Sequence, residues 1–211
     1  MTVAKRGFDL VFALLLLAPL GALMLVVAAL VLVADGRPVL YGAERMKAPG
    51  QPFRLWKFRT MRPVTGDAGV SGGAKAARVT PVGAILRQSR LDELPQLLNI
   101  LKGDLSFVGP RPPLREYVER FPGLYAEVLR SRPGVTGLAS LVLHRREERL
   151  LARCATAEET DRVYCRRCIP VKARLDLIYQ RRRSLCLDGK ILLGTLGAPF
   201  GLHRGRGRHD R

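Results

Sequence analysis

With 211 residues, 36 Lys plus Arg and 18 Asp plus Glu, the chain carries a net charge of +18 and has room for one compact domain beside an anchor. Such a charge calls for anionic partners, and an aromatic content of 6% without a recognisable binding motif disfavours nucleic acid against lipid headgroups and phosphorylated substrates. The excess of cations rises after Arg130.

Lys5 and Arg6 precede Leu10 to Ala34, 25 residues without a charge, long enough for a bilayer core of roughly 30 Å. A cleavable signal region is typically only about 7 to 15 apolar residues long, and no polar face marks a soluble helix. Arg37, Arg45 and Lys47 follow, so both flanks prefer the cytoplasmic face and the charge rule assigns no orientation. Pro19, near the middle, predicts a kink. From these features a helix that returns to the same face and a single span both stand.

Val39-Leu40-Tyr41 and Phe53 to Arg59 read as short extended segments on either side of the turn Ala48-Pro49-Gly50. Arg62 to Lys75, rich in Gly, Pro and small polar residues, reads as a mobile loop, and helical structure is expected from Ala84. Leu91, Leu94, Leu98 and Leu101 recur at helical spacing, so Ser89 to Lys102 is predicted as one amphipathic helix. Pro95 belongs in a first turn, which puts the start near Asp92 and Glu93, and Lys102-Gly103 supplies the stop. Asp92 then sits at the positive end of a helix, where a carboxylate stays ionised and a phosphate is attracted. For an arbitrary helix, an N-cap is the commoner explanation of such an Asp92 than chemistry.

Lys102 to Pro113 is forced by glycine and proline into an irregular path, and Glu116 to Ser131 reads as a helix with Tyr117, Phe121, Leu124, Tyr125 and Val128 on one side, facing core or membrane. Arg132-Pro133-Gly134 is a turn, Val171 to Leu196 is mostly helical and basic, and Arg204 to Arg211 reads as a solvated, disordered tail. Cys165-x-x-Cys168 lacks a second pair or a suitably spaced His, so free thiols are expected. None of His144, His203 and His209 lies near a plausible Ser or Cys nucleophile, which leaves carboxylate chemistry at Asp92-Glu93.

Lys57-Phe58-Arg59-Thr60-Met61, Arg78 to Gly83, Leu91-Asp92-Glu93-Leu94-Pro95-Gln96-Leu97, Lys102 to Pro112, Arg132 to Gly137 and Asp176 to Asp188, in this order, resemble the bacterial sugar transferases, the monotopic polyprenyl-phosphate phosphoglycosyl transferases, in their minimal catalytic form. The resemblance runs from Lys5-Arg6-Gly7-Phe8-Asp9 to about Leu196. It implies transfer of a sugar phosphate from a nucleotide diphosphate sugar, usually uridine-linked, to polyprenyl (undecaprenyl) phosphate, with release of a nucleoside monophosphate. Asp92 would be the nucleophile, and Asp92 with Glu93 would hold Mg²⁺ or Mn²⁺. Arg111, fixed between Pro110 and Pro112, would fork onto phosphate oxygens, with Lys57, Arg59 and Arg87 close by.

The resemblance further implies a mainly α fold with short β segments. Residues 1–36 would form a re-entrant helix with Pro19 at its vertex, 37–198 a cytoplasmic catalytic domain with helices lying at the interface, and 199–211 the tail. The expected location is the cytoplasmic leaflet of a bacterial inner membrane, among its lipids; a homodimer is compatible with it. An inactive scaffold of the same fold, or a basic peripheral protein that binds lipid or nucleic acid, is the competing expectation. The chain departs from the family pattern at Leu138 to Arg145, where many members carry Trp-Ala-Gln-Val-Asn-Gly-Arg, at Arg90, where serine is common, and at Cys165 and Cys168.

Overall fold

The computed structural model describes residues 2–63 and 77–197. Most of the expected Arg62 to Lys75 loop and the whole Arg204 to Arg211 tail lie outside them. Among the described residues the architecture is mainly helical, with two small two-stranded sheets.

Helix α1 (Val3–Asp35) is capped by the Thr2 hydroxyl, which accepts from the Lys5 amide, and closed by Gly36, whose amide donates to Leu32 O from φ 75°. Among the described residues it is the helix long and apolar enough to cross a membrane. It is helical without interruption through Pro19, so the expected broken helix is instead a continuous one of 33 residues. Lys5, Asp9, Ala13, Val27 and Val31 are buried, and Phe12, Leu16, Leu20, Leu23 and Met24 pack on the rest of the chain. Leu14, Leu15, Leu25, Val26 and Val33 stay exposed on the opposite side. The helix therefore has one docked stripe and one bare apolar face.

Strands β1 (Leu40–Ala48) and β2 (Gln51–Phe58) pair antiparallel, Leu40 opposite Phe58, around the positive-φ Gly50. They are the two expected extended segments, longer than the sequence suggested. Helix α2 (Pro81–Gln88) starts three residues before Ala84, because Pro81 suits a first turn and Thr80 Oγ1 accepts from the Gly83 amide at 2.9 Å. Gly83 is required for packing: a Cβ there would stand 2.2 Å from Thr60 O.

The predicted single helix from Ser89 to Lys102 is two pieces, a 3₁₀ turn (Leu91–Glu93) and helix α3 (Gln96–Lys102). Arg90 at φ 61° turns the chain out of α2, and Pro95, without an amide hydrogen, precedes the first turn of α3. The break shifts the helical phase. Leu97 and Ile100 are buried in α3, whereas Leu98 is 38% exposed. The stop held, with Gly103 in the left-handed region as the cap.

Strand β3 (Ser106–Val108) pairs parallel with β4 (Gly134–Thr136), which begins inside the expected Arg132-Pro133-Gly134 turn. The predicted Glu116 to Ser131 helix is split at Phe121-Pro122 into α4 (Arg115–Arg120) and α5 (Pro122–Val128). Its aromatic side is core: Tyr117, Tyr125 and Val128 bury against Tyr164 and Ile169. Helices α6 (Leu138–Ala152) and α7 (Ala157–Val163) were not anticipated. A π-helical turn, Tyr164–Cys168, joins α7 to α8 (Ile169–Arg182). Helix α9 (Leu185–Gly197) follows, so the helical Val171 to Leu196 is interrupted at Arg183-Ser184. All four cysteines are free.

Candidate active site

The acidic pair sits where three elements converge. Strand β2 brings Lys57, the 3₁₀ turn brings Asp92 and Glu93, and the segment after β3 brings Arg111. Asn99 of α3, 1% exposed, fastens β2 in place: its Oδ1 accepts from the Trp56 amide at 3.0 Å and its Nδ2 donates to Arg54 O at 2.7 Å. Backbone bonds fix Arg111 from both sides, Gly134 N to Pro110 O at 2.9 Å and Met46 N to Pro113 O at 3.0 Å. The buried Pro110 and Pro112 stiffen that path and reach the site through Arg111.

Neighbours in sequence, the two carboxylates have different surroundings. Glu93 Oε1 accepts from Lys57 Nζ and from Arg111 Nη2, both at 2.7 Å, and Arg90 Nη1 lies 3.9 Å from Oε2. Burial alone would raise the Glu93 pKa, but Arg111 and Lys57 outweigh it and hold the carboxyl far below its usual range. Asp92, 6% exposed, has no hydrogen-bond partner among the described residues; its nearest cation is Lys57, 4.0 Å from Oδ2. Burial pushes its pKa up and Glu93 adds to that, against the pull of Lys57, Arg87 and Arg111. Lys57 is pulled down, first by burial and then by Arg111, with Glu93 opposing. Glu93 is thus a tethered anion and Asp92 an untethered one.

The other expected cations divide. Arg87 donates Nε to Thr60 Oγ1 at 3.0 Å and lies near enough to Asp92 to lower its pKa. Arg59 is elsewhere. Its guanidinium donates to the carbonyls of Asp35, Gly36 and Arg37 at 2.5, 2.8 and 3.0 Å, closing the C-terminal end of α1. Arg59 follows the last residue of β2, and its guanidinium is committed to these carbonyls rather than to the acidic pair expected beside it. Pro19 lies on α1, outside this cluster. Reading the sequence missed Asn99, whose signal was a polar residue between apolar positions of a short helix. It also missed His144 of α6, whose Nε2 is 2.7 Å from Arg90 Nη2.

Asp92 and Glu93 are the carboxylates of this cluster, and no group of three His, Cys, Asp or Glu among the described residues could hold a metal ion. Two carboxylates suit Mg²⁺, which keeps waters and completes its shell with substrate phosphates rather than an all-protein cage.

A family model described as bacterial sugar transferase matches residues 1–201. The chain is 41% identical over 153 residues to the exopolysaccharide production protein ExoY of Sinorhizobium fredii, covering 64% of this chain and 67% of that one. It is 36% identical over 202 residues to a UDP-glucose:undecaprenyl-phosphate glucose-1-phosphate transferase of Klebsiella pneumoniae. A UDP-N-acetylgalactosamine-undecaprenyl-phosphate N-acetylgalactosaminephosphotransferase of Aeromonas hydrophila is 33% identical over 198 residues. These matches cover 94% and 91% of this chain but only 40% and 42% of the two relatives. Matched along nearly its whole length, with the acidic pair and its cations assembled, the chain belongs to the bacterial sugar transferase family.

Proposed function

We propose that the chain is a polyprenyl-phosphate phosphoglycosyl transferase that moves a sugar-1-phosphate from a UDP-sugar to undecaprenyl phosphate and releases UMP. The observation that carries this reading is the contrast within the acidic pair. Glu93 is neutralised by Lys57 and Arg111, while Asp92 stands beside it without a hydrogen bond, ready to attack.

An Asp92 carboxylate oxygen attacks the sugar-bearing phosphorus, the bond to the bridging oxygen breaks, and UMP leaves with that oxygen. A polyprenyl phosphate oxygen then attacks the same phosphorus and the bond to Asp92 breaks, which regenerates the carboxylate. Arg111 and Lys57 receive the diphosphate, and Arg111, set on a rigid backbone, orients it. Asp92 and Glu93 would hold Mg²⁺, which when bound neutralises the diphosphate and eases departure of the monophosphate. The buried setting strengthens each of these interactions relative to water.

We place the domain on the cytoplasmic leaflet of an inner membrane, in assembly of a bacterial glycan. Both ends of α1 dock on the same body, Arg6 donating to Ile100 O and Leu101 O, and Asp35 accepting from Thr80 Oγ1. A bilayer between the two ends would separate those contacts. This supports an anchor whose two ends lie on one face, with its bare apolar side in lipid.

The test is product analysis. Protein in nanodiscs, given Mg²⁺, undecaprenyl phosphate and a panel of UDP-sugars, is expected to release UMP with a subset of donors, and Asp92→Asn to abolish it. Release of UDP would mean that a different bond is cut and would overturn the mechanism.

A further inference from the structure

Arg90, directly before the turn that carries the acidic pair, and His144 of α6 meet in space. Arg90 Nη2 lies 2.7 Å from His144 Nε2, and its Nη1 lies 3.9 Å from Glu93 Oε2. A guanidinium only donates hydrogen bonds, so His144 Nε2 must accept. The ring is therefore neutral, with its proton on Nδ1. Arg90 is also a non-glycine residue of positive φ, at 61°, directly before the turn that carries Asp92 and Glu93. That conformation is uncommon for a residue other than glycine, and the contact with His144 is made by the same residue's side chain.

Resting on the transferase reading, we propose that His144 is a positioning residue: its neutral imidazole holds Arg90 against Glu93 and so sets the turn that aims Asp92. Arg90, with its side chain 45% exposed at the rim of the acidic pair, is then the third cation around Glu93, after Lys57 and Arg111. The groups facing His144 are Arg90 from the turn, Arg111 from the segment after β3, and Glu147 and Glu148 from α6, with Glu148 Oε2 at 3.9 Å. Burial lowers the His144 pKa and Arg90 lowers it further, which agrees with an acceptor role.

Two measurements decide it. In the first, ¹⁵N NMR of the full-length protein, with His144 assigned through His144→Gln, is expected to show the Nδ1–H tautomer at neutral pH. It needs no turnover, so it answers even if the transferase reading fails. An Nε2–H tautomer, or a doubly protonated ring, overturns the proposal. The second is a double-mutant cycle on UMP release. His144→Ala is expected to lower kcat on the order of tenfold, the loss of one charge-assisted hydrogen bond, with donor KM changed less than about twofold. Gln, which still accepts through its amide oxygen, should restore most of the rate, and Ala at position 144 should have no further effect beside Arg90→Ala. Additive losses, or a Gln variant as slow as the Ala one, would show that His144 acts by packing alone and overturn the proposal.

Discussion

At Glu93 two cations approach the same carboxylate oxygen, while Asp92 next to it keeps only a 4.0 Å contact with Lys57. The difference predicts opposite stability effects for two conservative changes. Glu93→Gln removes the carboxylate charge that Lys57 and Arg111 both bond and should destabilise the fold by about 1–3 kcal/mol, below the cost for a fully buried pair because Arg111 is partly exposed. Asp92→Asn removes a buried charge that burial and Glu93 both disfavour, so it should raise Tm while abolishing turnover.

The pH dependence follows from the same shifts. Glu93 titrates below its usual 4.5 in the fold, so its contribution is complete above that value and is lost as pH falls toward the depressed one. Asp92 titrates above its usual 3.8, so its cost is absent below that pH and grows as pH rises through the raised value. The Tm gain of Asp92→Asn should accordingly be present at neutral pH and vanish in acid. Thermal melts of both variants at pH 3.5 and pH 7 check this, and a gain independent of pH would sink it.

At the scale of elements, Arg59 and Gly83 connect the anchor to the site. Arg59 gathers the last carbonyls of α1, a cation at the negative end of a helix, while Thr80 both caps α2 and donates to Asp35. Arg59→Gln should therefore lower Tm and loosen the C-terminal end of α1, seen as faster amide exchange there, and leave the donor KM within about twofold at permissive temperature, a loss of well under 1.4 kcal/mol. A selective rise in donor KM would instead return Arg59 to the phosphates. Gly83→Ala forces a methyl group within 2.2 Å of Thr60 O, and either α2 or the strand end must move. A loss of several kcal/mol is expected, as for overpacking against backbone that cannot yield, read by urea denaturation.

For the whole molecule, the two docked ends of α1 make a topological prediction. Val3, 92% exposed, and the exposed Ala34 lie at opposite ends of the helix. Cysteines placed there should both react with an impermeant thiol reagent in inside-out vesicles and both resist it in intact cells. Labelling from opposite sides would require one docked end to detach and would sink the single-face anchor. The bare apolar face of α1, Leu14, Leu15, Leu25 and Val26 among its members, should likewise leave the protein aggregated when detergent is removed.

Length, charge and the uncharged run from Leu10 to Ala34 marked an anchored domain with anionic partners, because those properties need no partner residues to be visible. The two paired strands were legible as short extended segments around a turn, and the acidic pair with Lys57 and Arg111 from ordered motifs that the structure brings together. Local pattern failed where a long-range contact decides the outcome. The helix read from Ser89 to Lys102 is cut at Leu94-Pro95, between the 3₁₀ turn and α3, while Arg90, in a left-handed backbone and bonded to His144 54 residues away, parts that turn from α2. The Leu91, Leu94, Leu98 and Leu101 stripe looked continuous but straddles that cut, so α3 buries Leu97 and Ile100 instead. Arg59 had the company of Lys57 in sequence, yet it follows the end of β2, where the α1 carbonyls, more than twenty residues away in sequence, take its guanidinium. The unequal roles of Asp92 and Glu93 were likewise invisible in a dipeptide. Which carboxylate is tethered depends on where Lys57 and Arg111 arrive, 36 and 18 residues from Glu93 along the chain, and only folding sets those distances.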